Sequence, residues 1–290
     1  MKRNLYAYKP YFLLLPVLIV LGFIFIGGLV NALLQSLGYF PLIGMRKLTF
    51  DYYKEVLKNK DFIHGFCFSL CISFFSSAVA VGMGVYLSYI LVSRRKKDKL
   101  VKLLYKLPII VPHSAAVLLM LMLLSDSGIV ARVLFHLNWI DSQSSLMSMV
   151  FDRRGVGIII SYIWKEIPFI AMVVYTVMSK VNDGLTEAAY NLGASSKQVF
   201  FYVTLPLLMP TISSSFIIIF AFSFGAFEVP YLIGPTFPKA LPVMAYIHYI
   251  DPNLAMRPYA MVILMTITLI SILLILLYSR FMKKVSLYDR

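Results

Sequence analysis

Two neighbouring ionisable residues, Lys165 and Glu166, lie inside a long apolar run between residues 155 and 179. Helical rise places them about 15 Å into that run, because each residue advances about 1.5 Å. Ionisable groups at such a depth in a membrane are costly and usually functional. As neighbours on a helix they point about 100° apart, so we expect them to contact different partners. A role in a solute path and a structural role, as an interhelical ion pair or a contact beside Pro168, are equally good interpretations.

Glu228 is a third candidate for binding chemistry, because it stands in a segment rich in helix-breaking residues. These residues are Gly225, Pro230, Gly234 and Pro235. Broken helices at membrane depth usually line a cavity, so the Glu228 carboxylate is a candidate contact for a cationic solute. Capping of loop amides by the same carboxylate explains the pattern equally well. Phe224 and Tyr231 flank Glu228 and complete the candidate solute path.

The motifs of an enzyme are missing from the sequence. It contains no hydrolase triad pattern, no dinucleotide fingerprint and no phosphate-binding Gly-x-x-x-x-Gly-Lys-Ser/Thr loop. Its two cysteines and four histidines match no disulfide framework or zinc spacing. We therefore predict a chain without catalytic residues, metal or cofactor, and any energy that it uses must come from elsewhere.

Composition excludes a water-soluble domain. The chain is 60% hydrophobic and 14% charged, with a mean hydropathy of +0.83, whereas soluble domains are about a quarter charged. Six apolar runs are long enough to cross the ~30 Å hydrocarbon core as helices. We predict an all-α polytopic membrane protein with a single transmembrane domain over residues 1–290. The predicted spans are 11–34, 66–92, 107–125, 155–179, 207–227 and 258–279.

The distribution of charge predicts how these spans are oriented. An even number of spans places both termini on one side, and that side holds 16 basic residues against four acidic ones. The opposite side holds ten basic residues against eight acidic ones. Because cytoplasmic loops retain Lys and Arg, we predict cytoplasmic N and C termini. The net charge of +14 is then explained by topology and anionic lipid, and nucleic acid is not expected as a partner. The basic run at 94–106 contributes most to this asymmetry.

The cytoplasmic segment 183–206 predicts a helix-turn-helix. A two-turn helix would carry one apolar face, and Gly193 suits the position after it, where a positive φ is needed. Ser195 and Gln198 form a Ser-x-x-Gln capping box that begins a second helix. An apolar face exposed on a cytoplasmic loop requires a partner surface. The residues of that face are Leu185, Ala188, Ala189 and Leu192.

This segment resembles the EAA loop of bacterial binding-protein-dependent ABC importer permeases. The shared pattern is Glu187-Ala188-Ala189, three residues, Gly193, nine residues, and Val203-Thr204-Leu205-Pro206. The likeness extends over most of the chain, since residues 107–112, 164–169 and 224–234 resemble parts of the third, fourth and fifth spans of that family. Val181-Asn182 departs from the Ile-Pro pair that commonly precedes the loop.

The resemblance implies a type I importer fold in which 183–206 supplies a coupling helix for a separate ATPase subunit. Glu187 would offer a charged contact, Ala188 and Ala189 would permit close docking, and Gly193 would make the turn. Leu205 and Pro206 complete the coupling motif. ATP and Mg²⁺ would be bound by the partner. The expected partners are two ATP-binding cassette subunits, a second permease subunit that is a homologous different chain, an extracytoplasmic solute-binding protein and membrane lipids.

The substrate implied by the resemblance is a small solute. The likeness is greatest to the spermidine/putrescine branch, which implies a polyamine-like cargo and a bacterial inner-membrane location. Permeases for phosphonate, ferric iron and thiamine are similar enough to remain alternatives. A secondary transporter with six basic-inside spans is a further alternative, which copurification of an ATPase subunit would exclude.

Overall fold

Helices account for nearly all of the computed structural model, which describes residues 2–93, 107–140, 149–180 and 183–288. Side chains are described for residues 11–92, 107–140, 149–180 and 184–280. The predicted basic run at 94–106 and the departure at Val181-Asn182 lie outside these ranges. The prediction of six membrane-spanning helices is confirmed by length and composition. The six stretches are Tyr11–Ser36, Lys60–Val92, His113–His136, Val156–Met178, Ser196–Gly225 and Leu254–Arg280.

Besides a 3₁₀ turn (Pro41–Ile43), the first half of the chain forms seven α-helices within the described residues. They are α1 (Lys2–Ser36), α2 (Asp51–Lys58), α3 (Lys60–Ser93), α4 (Leu107–Ile110), α5 (His113–Leu124), α6 (Ile129–His136) and α7 (Val156–Met178). The segment predicted as one span over 107–125 is divided between α4 and α5. Pro112 is the N-cap of α5, and proline cannot continue a helical hydrogen-bond ladder because it lacks an N–H.

The second half begins with two short helices and ends with one long helix. The elements are α8 (Asp183–Asn191), α9 (Ser196–Val199), a π-helical turn (Phe200–Thr204), α10 (Leu205–Gly225), α11 (Glu228–Ile233), α12 (Leu241–Tyr249), a 3₁₀ turn (Leu254–Met256) and α13 (Arg257–Tyr288). α10 ends where the sequence predicts a helix break. The chain then begins the short helix α11 at Glu228 rather than forming a loop.

The described residues form two compact units, one within 1–62 and 244–266 and the other within 63–243 and 267–290. In the first unit, Ser36 Oγ lies 2.8 Å from Tyr53 Oη, and the Tyr259 hydroxyl donates a hydrogen bond to the Glu55 carboxylate. The Arg257 guanidinium lies 4.7 Å from the centroid of the Tyr249 ring. These contacts hold α2 against the end of α1 and the beginning of α13, and the beginning of α13 against α12.

The second unit is built around α3, α7 and α10. Small residues let α3 and α7 approach closely, since a Cβ added to Gly84 would lie 2.6 Å from Ile170. Ser88 Oγ, one turn further along α3, donates a hydrogen bond of 2.8 Å to the carbonyl oxygen of Ala171. Close backbone approach through small residues and interhelical hydrogen bonds is how membrane helices associate. The buried residues at this contact and beside α10 are Ala80, Val85, Ile170, Val174, Met178, Leu208, Ile212 and Ile219.

Candidate solute site and coupling helices

Lys165 contacts the break between α4 and α5. Its Nζ donates a hydrogen bond of 2.5 Å to the carbonyl oxygen of Val111. Because α5 has Pro112 as its N-cap, this carbonyl precedes the regular hydrogen-bond ladder of that helix. The ammonium group therefore satisfies an acceptor that the break leaves available. The contact is made at the Pro112 break and not beside Pro168, where the sequence suggested one.

Glu166 is directed to a different helix. Its side chain is 5% exposed, and Ser223 on α10 donates a hydrogen bond to Oε1. No group among the described residues lies within hydrogen-bonding distance of Oε2. The two neighbours on α7 thus have separate partners, as predicted. Buried polar atoms are nearly always hydrogen-bonded, so the second oxygen of Glu166 is unusual.

Both side chains line one cavity in the second unit. The cavity has a volume of about 260 Å³ and lies among α4, α5, α7 and α10. Most of its wall is apolar, and the centroid of the His113 ring lies 5.2 Å from that of Phe222. It therefore combines a mostly apolar wall with a few ionisable groups, the usual character of a small-molecule site. The lining residues are Ile109, His113, Lys165, Glu166, Phe169, Ile218, Ile219 and Phe222.

The three other residues predicted for the solute path have different surroundings. Glu228 is exposed in the first turn of α11 and is close enough to His113 and Lys165 to interact with both electrostatically. Phe224 is only 1% exposed, and its ring stacks on another aromatic ring of α10. Tyr231 is 49% exposed and its ring stacks on a neighbour one turn away. Glu228 therefore lies near the cavity, whereas Phe224 is buried and packs against another ring.

Sequence reasoning missed two polar members of this site. His113 follows Pro112 in an apolar segment. Its position beside a helix-breaking proline could have identified it as a candidate site residue. Ser223 gave no comparable signal, because serine is common in this chain and often packs between membrane helices. Its role depends on the rotation of α10 relative to α7, which brings Ser223 to Glu166.

The predicted helix-turn-helix at 183–206 is confirmed in the structure. α8 ends at Asn191, and Gly193 follows with φ of +85°. The N–H of Ala194 bonds to the carbonyl of Ala189 at 3.1 Å, and the N–H of Gly193 bonds to that of Tyr190 at 2.9 Å. These two bonds form a Schellman motif, in which glycine supplies the left-handed residue.

The second helix of the pair begins with the predicted capping box. The N–H of Ser195 donates to Gln198 Oε1 at 2.8 Å, and the N–H of Gln198 donates to Ser195 Oγ at 3.4 Å. Leu205 and Pro206 are the first two residues of α10 and directly follow the π-helical turn. Leu205 is half-buried, whereas Pro206 is exposed.

The apolar face of α8 is largely uncovered. Leu185 is 50% exposed and Leu192 is 89% exposed. Glu187 and Ala188 are also exposed, and Ala189 is half-buried. Beside this face lies a groove of about 330 Å³, whose lining includes Ala189, Gly193 and Tyr202. Exposed apolar side chains next to a groove are typical of a surface that binds another protein.

Six helices long and apolar enough to cross a membrane, together with a cavity that holds ionisable groups and an uncovered helix-turn-helix, define a polytopic membrane protein. Residues 80–286 match the family described as binding-protein-dependent transport system inner membrane component, and the chain belongs to this family. It is an ABC importer permease and a multi-pass protein of the inner membrane.

Curated relatives come from several transport systems. The chain is 28% identical over 176 residues to the inner membrane ABC transporter permease protein YdcU of Escherichia coli, covering 58% of this chain and 53% of the relative. It is 31% identical over 157 residues to the spermidine/putrescine transport system permease protein PotB of Escherichia coli, covering 54% of each. The matched part thus spans about half the length of these relatives. Other relatives carry the names of ferric and sulfate transport permeases.

A solved structure shares the fold over nearly the whole chain. It is that of a bacterial alginate ABC transporter in complex with an alginate pentasaccharide-bound periplasmic protein. The TM-score is 0.80, and the match covers 98% of this chain and 97% of the other at 20% sequence identity. At that identity the likeness establishes the fold and not the cargo.

Proposed function

We propose that this chain forms half of the translocation pathway of an ATP-driven importer, with ATP and Mg²⁺ bound by partner subunits. The observation that carries the proposal is the uncovered apolar face of α8, where Leu192 is 89% exposed, next to the turn at Gly193. A coupling helix must present such a face to an ATPase subunit. In the proposed contact, the exposed Glu187 lies at the edge, and the small side chains of Ala188 and Ala189 allow close approach.

Transport follows from linkage between ATP binding and the conformation of the permease. ATP closes the two ATPase subunits, and their clefts carry the coupling helices together. The permease pair then changes from an inward-facing to an outward-facing state and receives solute from an extracytoplasmic binding protein. This requires ATP to bind one conformation more tightly than the other.

The proposed assembly contains two ATP-binding cassette subunits, a second permease subunit and a solute-binding protein. The second permease is a homologous different chain that completes the pathway. Support for the external partner comes from the solved relative that carries a periplasmic protein. Both termini and segment 183–206 face the cytoplasm, where the excess of Lys and Arg lies and where anionic lipid contacts it.

The proposed cargo is a small cationic solute of the polyamine type. Two carboxylates, Glu166 and Glu228, lie at or near the intramembrane cavity against the single lysine Lys165. This balance favours a cation. The relative named for spermidine/putrescine transport agrees with it, whereas the relatives named for ferric and sulfate transport keep other small solutes as the alternative.

Reconstitution tests this proposal. The full chain is coexpressed with the ATPase, permease and binding protein of neighbouring reading frames, and ATP-dependent uptake of radiolabelled putrescine is measured in proteoliposomes. We expect the chain to copurify with the ATPase and uptake to require ATP. Uptake by the chain without an ATPase, driven by an ion gradient, would contradict the importer assignment.

Substitution of Glu228 tests whether the cargo is a cation. Glu228→Gln should lower putrescine uptake by about tenfold or more, because it removes a charged partner of the solute, while basal ATPase activity changes less. Asp126→Asn, which alters an exposed carboxylate elsewhere in the second unit, is the matched control and should leave uptake unchanged. An equal loss of uptake and ATPase activity in Glu228→Gln would show that this residue is structural.

A further inference from the structure

At the wall of the cavity, Glu166 has a carboxyl oxygen with no hydrogen-bond partner among the residues that the structure describes. The residue is 95% buried, since only 5% of it is exposed, and it lines the 260 Å³ cavity. Ser223 occupies Oε1, while no group of the described chain reaches Oε2. In the ionised form of Glu166 this oxygen gains from accepting a hydrogen bond from a donor that enters the cavity, because the desolvation of the charge is otherwise uncompensated.

The charges around the cavity select the sign of the ligand. Lys165 and Glu228 carry opposite charges that offset one another, so the charge of Glu166 in its ionised form is the one that lacks a counter-ion at the cavity. The Lys165 ammonium is already engaged by the carbonyl of Val111 at 2.5 Å. A monovalent cation balances this group of charges, whereas an anion would add to the imbalance in a region of low dielectric.

The rest of the wall selects the shape of the ligand. Ile109, Ile218 and Ile219 present alkyl groups, and Phe169 and Phe222 present aromatic rings. Methylene groups gain free energy by leaving water for such a surface, and the face of an aromatic ring attracts a nearby cation. The volume of 260 Å³ is several times the roughly 30 Å³ that one water molecule occupies in the liquid.

We propose that this cavity binds a primary or secondary alkylammonium group, with an N–H donated to Glu166 Oε2 and the alkyl stem against the apolar wall. The inference rests on the proposed function for its setting in a solute pathway, and it adds the chemical group of the cargo that is recognised and the residue that recognises it. A quaternary ammonium of similar size has no N–H to donate. The site therefore discriminates between alkylammonium ions that have an N–H and those that do not.

Direct binding tests this proposal without relying on transport. The full chain, purified with the subunits that copurify with it and placed in lipid nanodiscs, is titrated with radiolabelled n-butylammonium. Unlabelled n-propylammonium should displace the label, and N,N,N-trimethylpropylammonium should require about tenfold or more higher concentration, the size expected when a charge-assisted hydrogen bond is lost. Equal displacement by the two competitors would overturn the proposal.

Variants locate the site. Glu166→Gln keeps an acceptor for Ser223 but removes the charge, and should weaken n-butylammonium binding by about tenfold or more. Asp126→Asn removes an exposed carboxylate and should bind as the parent chain does. If Glu166→Gln assembles, as judged by size-exclusion chromatography, and binds with unchanged affinity, Glu166 has a structural role. If it fails to assemble, the competitor series on the parent chain still decides.

The binding and uptake experiments can fail separately. Binding that depends on Glu166 together with no putrescine uptake would keep this site and show that the cargo is another amine. Putrescine uptake that is unaffected in Glu166→Gln would keep the proposed function and remove this site. Preference for neutral n-butanamide over n-butylammonium would show that Glu166 acts as a donor, and would also overturn the proposal.

Discussion

At the scale of a single residue, Lys165 stabilises the break between α4 and α5. Its ammonium group donates to the carbonyl of Val111 at 2.5 Å, immediately before the N-cap of α5. A carbonyl that precedes a helix in an apolar environment has few alternative donors. The lysine therefore has a structural contact even though it also lines the candidate solute cavity.

Replacing this lysine should show how much its contact with Val111 contributes to the stability of the protein. We expect Lys165→Met to lower the thermal stability of the purified protein by an amount corresponding to about 1 kcal/mol, the usual size of hydrogen bonds between membrane helices. Lys165→Arg retains a donor and serves as the control. The measurement is thermal unfolding in detergent followed by the loss of monodisperse protein. A Met variant as stable as the parent chain would mean that the contact with Val111 contributes nothing.

The helix-turn-helix shows how local sequence sets geometry at the scale of an element. A Schellman motif closes α8, and a capping box begins α9 five residues after Tyr190. The turn between them depends on Gly193, whose φ of +85° is unfavourable for residues with a Cβ. A Cβ at this position would meet nothing within 4 Å, so backbone conformation and not crowding is the constraint.

This distinction predicts different effects of two substitutions at Gly193. Gly193→Val should disturb the turn by roughly 1–2 kcal/mol, because a β-branched residue resists the left-handed conformation, and should lower uptake per ATP hydrolysed severalfold. Gly193→Asn should retain most of the coupling, since asparagine tolerates that conformation. Parallel assays of uptake and ATPase activity in proteoliposomes measure this ratio. Equal coupling in the two variants would show that the turn does not control docking.

Orientation in the membrane is a property of the whole molecule, and the charge distribution predicts it. With cytoplasmic termini, the segment after the first span faces outward and the loop at 183–206 faces the cytoplasm. Leu42 and Leu192 are 87% and 89% exposed and so suit labelling. In a background with Cys67→Ser and Cys71→Ser, we expect an impermeant maleimide to label Leu192→Cys only in inside-out vesicles and Leu42→Cys only in right-side-out vesicles. The reverse pattern would invert the topology.

Local patterns in the sequence determined the class of the molecule and its most regular parts. Long apolar runs predicted six membrane helices, and the spacing of Gly193, Ser195 and Gln198 predicted the turn and cap that the structure contains. Such features could be predicted because hydrophobic length, glycine conformation and capping hydrogen bonds act within a few residues of the chain. Element ends were less well defined, since α3 and α13 extend beyond the predicted spans.

Tertiary structure alone decided which side chains form the candidate solute site. Lys165 meets Val111 across 54 residues of sequence, and Glu166 meets Ser223 across 57. These pairings depend on the rotation and crossing of α5, α7 and α10. Hydropathy does not encode that rotation, because in a membrane the surfaces that face lipid and those that face another helix are equally apolar. The sequence could therefore predict two ionisable residues at membrane depth, while only the packed helices showed that both border one cavity and that Lys165 also caps a helix break.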